Sequence, residues 1–262
     1  MDNPGIVSSK MNQQLNELST PPVIDLNQYR ETVYLFLSRS FSREVDPVFF
    51  DQASKFADSF EEIFTNFKET HLITGGQLLK SFFREAHLKG KETVLQDLAE
   101  DYAFFFLGVG RENVSLCESA YRSEGGLLFQ GSYFDIVKRY GDTAVTKRQD
   151  YPEPEDHLSV EMAYMARLCR LTITSILAEK NGDIRRYYTC QKNFLHDHVI
   201  PWVPTFSESL LKADPSPFYT AVAHLLKGFI HLEEELIDSL LSEVVTRRDS
   251  RKKRSNRGKE RG

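Results

Sequence analysis

Three carboxylates and an imidazole fall within five residues in the segment Glu153-Pro154-Glu155-Asp156-His157. Acid beside imidazole suits proton transfer, metal ligation or a polar anchor for a cationic peptide, and the spacing bears on which. A proline at an early helical position lacks only an N–H that has no partner there, and acids complement the positive end of the helix macrodipole. The segment therefore predicts a helix start, with the helix running from Pro154 to Lys180 and halted by Asn181-Gly182. His157 near the positive end is disfavoured as a cation and left as a neutral donor and acceptor. His157 and Glu161 stand i,i+4 and could share a metal ion, but two ligands are too few for a site.

Three other groups have chemistry to offer. Tyr102-Ala103-Phe104-Phe105-Phe106-Leu107 reads as an aromatic core helix that ends at Gly108-Val109-Gly110. That glycine pair lacks the third glycine, the preceding strand and the basic ligand of a nucleotide loop. Glu118-Ser119-Ala120-Tyr121 lies in an irregular connector, where a tyrosine supplies stacking area and a hydroxyl for recognition, or else packs on the core. His196 and His198 point about 200° apart on a helix, and His224 and His231 lie two turns apart, so neither pair reads as a shared metal site.

These groups need elements to hold them, and the apolar spacing supplies helices alone. Asp25 can cap a first helix to about Ser40, with Leu26, Tyr29, Val33, Phe36 and Leu37 on one face. Asp46-Pro47 starts a second that carries Phe49, Phe50, Phe56, Phe60 and Phe64. Further helices are expected from Thr74, over Lys91 to Leu107, around Leu127 to Tyr140, and over Asp183 to His198. Trp202 to Lys212 and a last helix to about Val245 complete the set. The expected architecture is all-α: a single helical-bundle domain of roughly nine or ten helices over 23–246, with a hinge loop at about 141–153.

Composition narrows the class further. With 262 residues, 40% hydrophobic and 27% charged, the chain has the make-up of a soluble domain, and no stretch nears the roughly 20 apolar residues of a membrane span. Met1 to Pro22 is polar and holds no arginine pair, so it is read as a tail and not as an export signal. Cys117, Cys169 and Cys190 are odd in number and form no CxxC motif, which fits free thiols in a reducing cytoplasm. The net charge of −5 hides an asymmetry: 247–262 holds nine Lys/Arg against two acids, a net of +7. The remaining body carries 24 basic and 36 acidic residues, a net of −12. The tail reads as disordered and solvated, while the acidic body disfavours nucleic acid and favours a cationic partner.

The motifs, taken in order, resemble the TorD/DmsD/NarJ family of chaperones for molybdenum-containing redox enzymes. Tyr102, Phe105, Phe106 and Gly110 are similar to its Y-x-x-L-F-x-x-x-G helix end, with Phe105 in place of the usual Leu. Glu153, Pro154, Asp156 and His157 match its E-P-x-D-H motif without a departure. Glu118-Ser119-Ala120-Tyr121 resembles the family's loop ending in S-x-Y, with Leu116 where a Pro is often found. Phe194, Leu195, His198, Trp202 and Phe206 resemble its F-L-x-x-H…W…F block.

The resemblance implies a cytoplasmic, non-enzymatic, TorD-like chaperone without a resident cofactor, weak GTP binding being known from some members. The implied partner is the precursor of a molybdenum-containing oxidoreductase, held through its twin-arginine leader, with the chaperone a monomer or a domain-swapped homodimer. The implied leader-binding residues are Glu153, Pro154, Asp156 and His157, with Glu118, Ser119, Tyr121, Tyr102, Phe106, Leu116, Cys117 and Trp202. A second reading, from the residues alone, is a helical metal- or nucleotide-dependent enzyme built on His157 and Glu161. A third is an interaction module that uses the basic tail.

Overall fold

Helix after helix follows from the apolar spacing, and a computed structural model describes them over residues 20–64, 68–110, 113–126, 131–145, 147 and 150–259. Ten α-helices lie among the described residues: α1 Thr20–Ser42, α2 Pro47–Phe64, α3 Thr70–Lys89, α4 Lys91–Phe106, the single turn α5 Ser119–Arg122, α6 Gly131–Asp142, α7 Leu158–Leu177, α8 Asn181–Phe194, α9 Val203–Lys212 and α10 Pro217–Lys259. The bundle is all-α, as expected.

Two packed pairs form its frame. Val33, Tyr34, Leu37 and Phe41 of α1 recur at three- and four-residue intervals, as do Leu158, Met162, Met165 and Cys169 of α7; all eight are buried, and the two helices pack along each other. Tyr29, expected on the inner face of α1, stands outside at 45% exposure. The second pair is α3 with α10, which approach closely because Gly75 and Gly228 carry no Cβ at the contact. At the same seam the Nδ1 atoms of His71 and His224 lie 2.9 Å apart, so one ring donates to the other.

Local signals set the helix ends. Asp46 Oδ1 accepts from Phe49 N–H at 2.8 Å, the expected cap of α2. Glu69 Oε2 accepts from Leu72 N–H at 2.6 Å, so α3 opens at Thr70, before the expected Thr74. Gly108, at φ 72°, takes the left-handed conformation that closes α4. α10 runs without a break past Thr246 as far as Lys259. Of the expected elements, most of the 1–22 tail, Leu127 to Gln130 and the side chain of Phe64 lie outside the described residues.

A buried charge pair locks α1 to α10. Arg30 donates from Nε and Nη2 to the two Glu233 carboxylate oxygens, each at 2.7 Å, and again from Nη2 to Gln191 Oε1 of α8. Tyr34 adds its hydroxyl to Glu233 at 2.7 Å. Bidentate geometry with further hydrogen bonds is what lets such a pair sit in the core.

Candidate functional site

α7 does not begin where the proline pointed. His157 is its N-cap, with φ −78° and ψ 135°, and the imidazole Nδ1 accepts from Ser159 N–H at 3.2 Å. Glu153, Pro154, Glu155 and Asp156 therefore form a turn ahead of the helix, which corrects the expected start at Pro154. The reason is a short antiparallel bridge between Cys117 and His157. Leu158 N–H donates to Leu116 O at 2.7 Å and Glu118 N–H to Asp156 O at 2.9 Å. Extended backbone at the bridge excludes the first helical turn there.

The bridge joins two segments that the sequence singled out separately. Asp156, 1% exposed, accepts from Ser119 N–H through Oδ2 at 3.1 Å. Glu118, fully buried, faces His198 Nδ1 at 3.1 Å and pairs with Arg122. The other His198 nitrogen faces Asp135 Oδ2 of α6 at 2.8 Å. Glu161, also fully buried, accepts from Trp202 Nε1–H at 3.2 Å. Tyr121 donates to Ser115 O at 2.9 Å and lays its ring 5.2 Å from that of Trp202, so it packs on the core. Thus Glu118, Ser119, Tyr121, Asp156, His157 and Trp202 gather in one place, with Leu116 and Cys117 buried at the bridge.

Burial sets the charges of this cluster. Burial, then the nearby Glu118 and Asp156 carboxylates, pushes the Glu161 carboxyl well above its usual range, so it keeps its proton. Burial, followed by repulsion from Lys147, lowers the His157 imidazole from 6.5 to about 4 and keeps it neutral. The expected neutrality stands, but burial outranks the helix dipole as its cause. Burial and then Asp156 push the Cys117 thiol up to about 12, which keeps it an inert thiol. Among the described residues no three metal-ligating side chains converge. Glu161 N–H donates to His157 O at 3.0 Å, but the two side chains go to different partners, His157 Nδ1 to Ser159 and Glu161 Oε2 to Trp202.

Two cavities flank the cluster. A polar one of about 610 Å³ lies between Arg122, Asp135, Arg139 and the 195–199 π-turn that carries His196 and His198. The other is a groove of about 1480 Å³ along the outer side of the turn. Tyr102, Tyr151, Leu35, Leu107 and Val160 give it apolar walls, and Arg39, Arg43, Lys147, Glu44, Asp46 and Glu153 give it charges of both signs. Leu35 and Leu107 are 50% and 59% exposed. Of the sequence-predicted residues, only Tyr102 and Glu153 line this groove. Phe106 lies behind the wall, against Phe41, Tyr102 and Tyr219.

Sequence reasoning missed the residues that hold the turn. Tyr133 O–H donates to Glu155 Oε2 at 2.8 Å and Tyr140 O–H to Glu155 O at 3.0 Å. Lys147 donates to Glu153 O and sits 3.4 Å from Glu155 Oε1. Tyr151 faces Ser159 Oγ at 2.8 Å and donates to Ser42 O at 3.3 Å. The one available signal was the tyrosine enrichment around 133–151.

Comparison with known proteins gives the same picture from another direction. Residues 56–208 match the model of the family described as nitrate reductase delta subunit. The chain is 23% identical over 224 residues to the chaperone protein TorD of Aliivibrio fischeri, covering 85% of this chain and 99% of the relative. It is 26% identical to the chaperone proteins TorD of Photobacterium profundum, over 80% of this chain and 94% of that one, and of Shewanella piezotolerans, over 82% and 94%.

Proposed function

Because the chain belongs to the nitrate reductase delta subunit family, which includes the TorD chaperones, we propose that it is a redox-enzyme maturation chaperone acting in the cytoplasm. In this reading it binds a molybdoenzyme precursor through the twin-arginine leader, delays export and favours cofactor insertion. It works by binding and not by catalysis.

The observation that carries the reading is the groove of about 1480 Å³ beside the E-P-x-D-H turn. Its exposed Leu35 and Leu107 and its half-buried Tyr151 suit the apolar part of a leader, taken up as a helix in a groove. Glu44 and Glu153 on its walls suit guanidinium groups, which carboxylates hold bidentately and for which an ammonium is a poor substitute. Asp156 and His157, at 1% and 3% exposure, serve in this reading by shaping the turn that bears Glu153. The hinge is compatible with a monomer or a domain-swapped homodimer, since a swap would re-form the same bridge bonds between chains.

The test is titration of the full chain with a synthetic peptide that carries an arginine pair followed by a leucine-rich segment. Saturable binding is expected. Replacing the arginine pair with lysines should weaken it about tenfold. Absence of binding to the arginine peptide, or equal binding of a scrambled one, would overturn the leader reading.

A further inference from the structure

His157 is buried, yet both sides of its ring lead back to the groove. Nε2 lies 3.8 Å from Oε2 of Glu153, a groove residue. Nδ1 lies 2.8 Å from Ser159 Oγ, which in turn lies 2.8 Å from the hydroxyl of Tyr151, a second groove residue. The directions of these bonds are fixed by the donors at hand. Ser159 N–H already donates to His157 Nδ1, so that nitrogen is the acceptor and the serine hydroxyl donates to it. The serine oxygen then accepts from Tyr151 O–H, which is shared with Ser42 O at 3.3 Å. His157, Ser159 and Tyr151 thus form one hydrogen-bonded arc from buried motif to groove wall, with the Glu153 carboxylate near its other end at 3.8 Å from Nε2.

We propose that Tyr151 is a contact residue for the peptide in the groove and that His157 is its positioning residue, acting through Ser159. The inference rests on the leader-binding reading and adds the means by which a hidden motif shapes an open surface. A tyrosine held by its hydroxyl presents a fixed ring edge, so less rotamer freedom is lost when a ligand packs against it. Tyr102, the neighbouring wall residue, is pinned in a similar way, by donation to Phe41 O at 3.2 Å. The groove is in this respect preorganised before any ligand arrives.

The test measures affinity of the full chain for the arginine-pair peptide in Tyr151→Phe, Ser159→Ala, their double variant, His157→Ala and His157→Asn. Tyr151→Phe and Ser159→Ala should each weaken binding about threefold to tenfold, the scale of one hydrogen bond. The double variant should be no weaker than the worse single one, because both cut the same arc. His157→Asn retains an N-cap acceptor and should bind within about twofold of wild type, whereas His157→Ala should not. Additive losses, or full affinity in Ser159→Ala, would overturn the proposal.

A readout free of the peptide separates the two readings. The ¹⁵N imidazole spectrum should show His157 as the neutral tautomer with bare Nδ1, and its signal should move in Tyr151→Phe although the phenol does not touch the ring. An unmoved signal would break the arc. Wild-type protein that binds no peptide would sink the functional reading and the contact role together, while the imidazole spectrum would still report whether the arc exists.

Discussion

At the scale of single residues, Asp156 and His157 of the motif are held where water does not reach, and for the imidazole this makes protonation a matter of stability. The His157 imidazole is lowered from 6.5 to about 4 by burial first and Lys147 second. The unfolded chain therefore takes up a proton before the folded one does. The associated stability is complete above about pH 6.5 and is lost as pH falls towards 4, by roughly 3 kcal/mol in all. Urea midpoints across that window should fall less steeply in His157→Asn than in wild type. Glu161 is the opposite case, a carboxyl kept neutral and accepting from Trp202. Glu161→Gln should fold within about 1 kcal/mol of wild type, while Glu161→Ala should cost about 1–3 kcal/mol by leaving the indole N–H without its acceptor; chemical denaturation distinguishes them. The motif residues themselves were legible in the sequence, because Pro, acid and imidazole at that spacing are informative. The burial of Asp156 and His157 was not, since it comes from the contact between Leu116–Glu118 and Asp156–Leu158, which only the folded chain creates.

At the scale of elements, helix existence was readable and helix ends less so. Apolar spacing is a property of the chain alone, so α2, α4 and α9 lie close to where their periodicity places them, whereas α1 opens at Thr20 and holds Asp25, the expected cap, inside the helix. The start of α7 was misread because a proline followed by acids favours a first turn, and the tertiary bridge overrides that preference locally. The groove was illegible for a related reason: its walls come from α1 and the residues just after it, α4, α6, α7 and the residues Ala144, Val145, Lys147 and Asp150 to Glu153, and no local pattern announces that they meet. The α3–α10 seam makes a prediction at this scale. A Cβ on Gly228 would stand 2.5 Å from Leu72 N and 3.0 Å from His71 C, atoms of the opposing backbone that a rotamer change cannot move. Gly228→Ala should therefore cost about 1–3 kcal/mol or more, measured as a loss of thermal stability. Leu177→Ala, at a site 70% exposed, should change it by less than about 0.5 kcal/mol.

At the scale of the whole molecule, charge is distributed unevenly, with +7 on residues 247–262 and −12 on the rest. A cationic peptide approaching the acidic body is drawn in at long range, and the basic segment opposes that attraction. Truncation after Thr246 should tighten binding of the arginine-pair peptide at low salt, and the difference should vanish near 0.5 M salt, roughly, where screening is short-ranged. Titrations of both forms across ionic strength check this. The buried Arg30–Glu233 pair belongs to this scale too, because it ties α1 to α10 across the bundle; Arg30→Ala should cost about 3–5 kcal/mol by leaving the Glu233 carboxylate in the core without its cation, read from denaturation midpoints. One last property follows from the position of Trp202. It is the only tryptophan in the chain, it is fully buried, and it touches Glu161 and Tyr121 at the centre of the polar cluster. Light absorbed at the red edge of the indole band therefore interrogates this one place. Its emission colour and lifetime make the protein its own dosimeter, signalling any event that brings water or a new charge to the cluster without a label being attached.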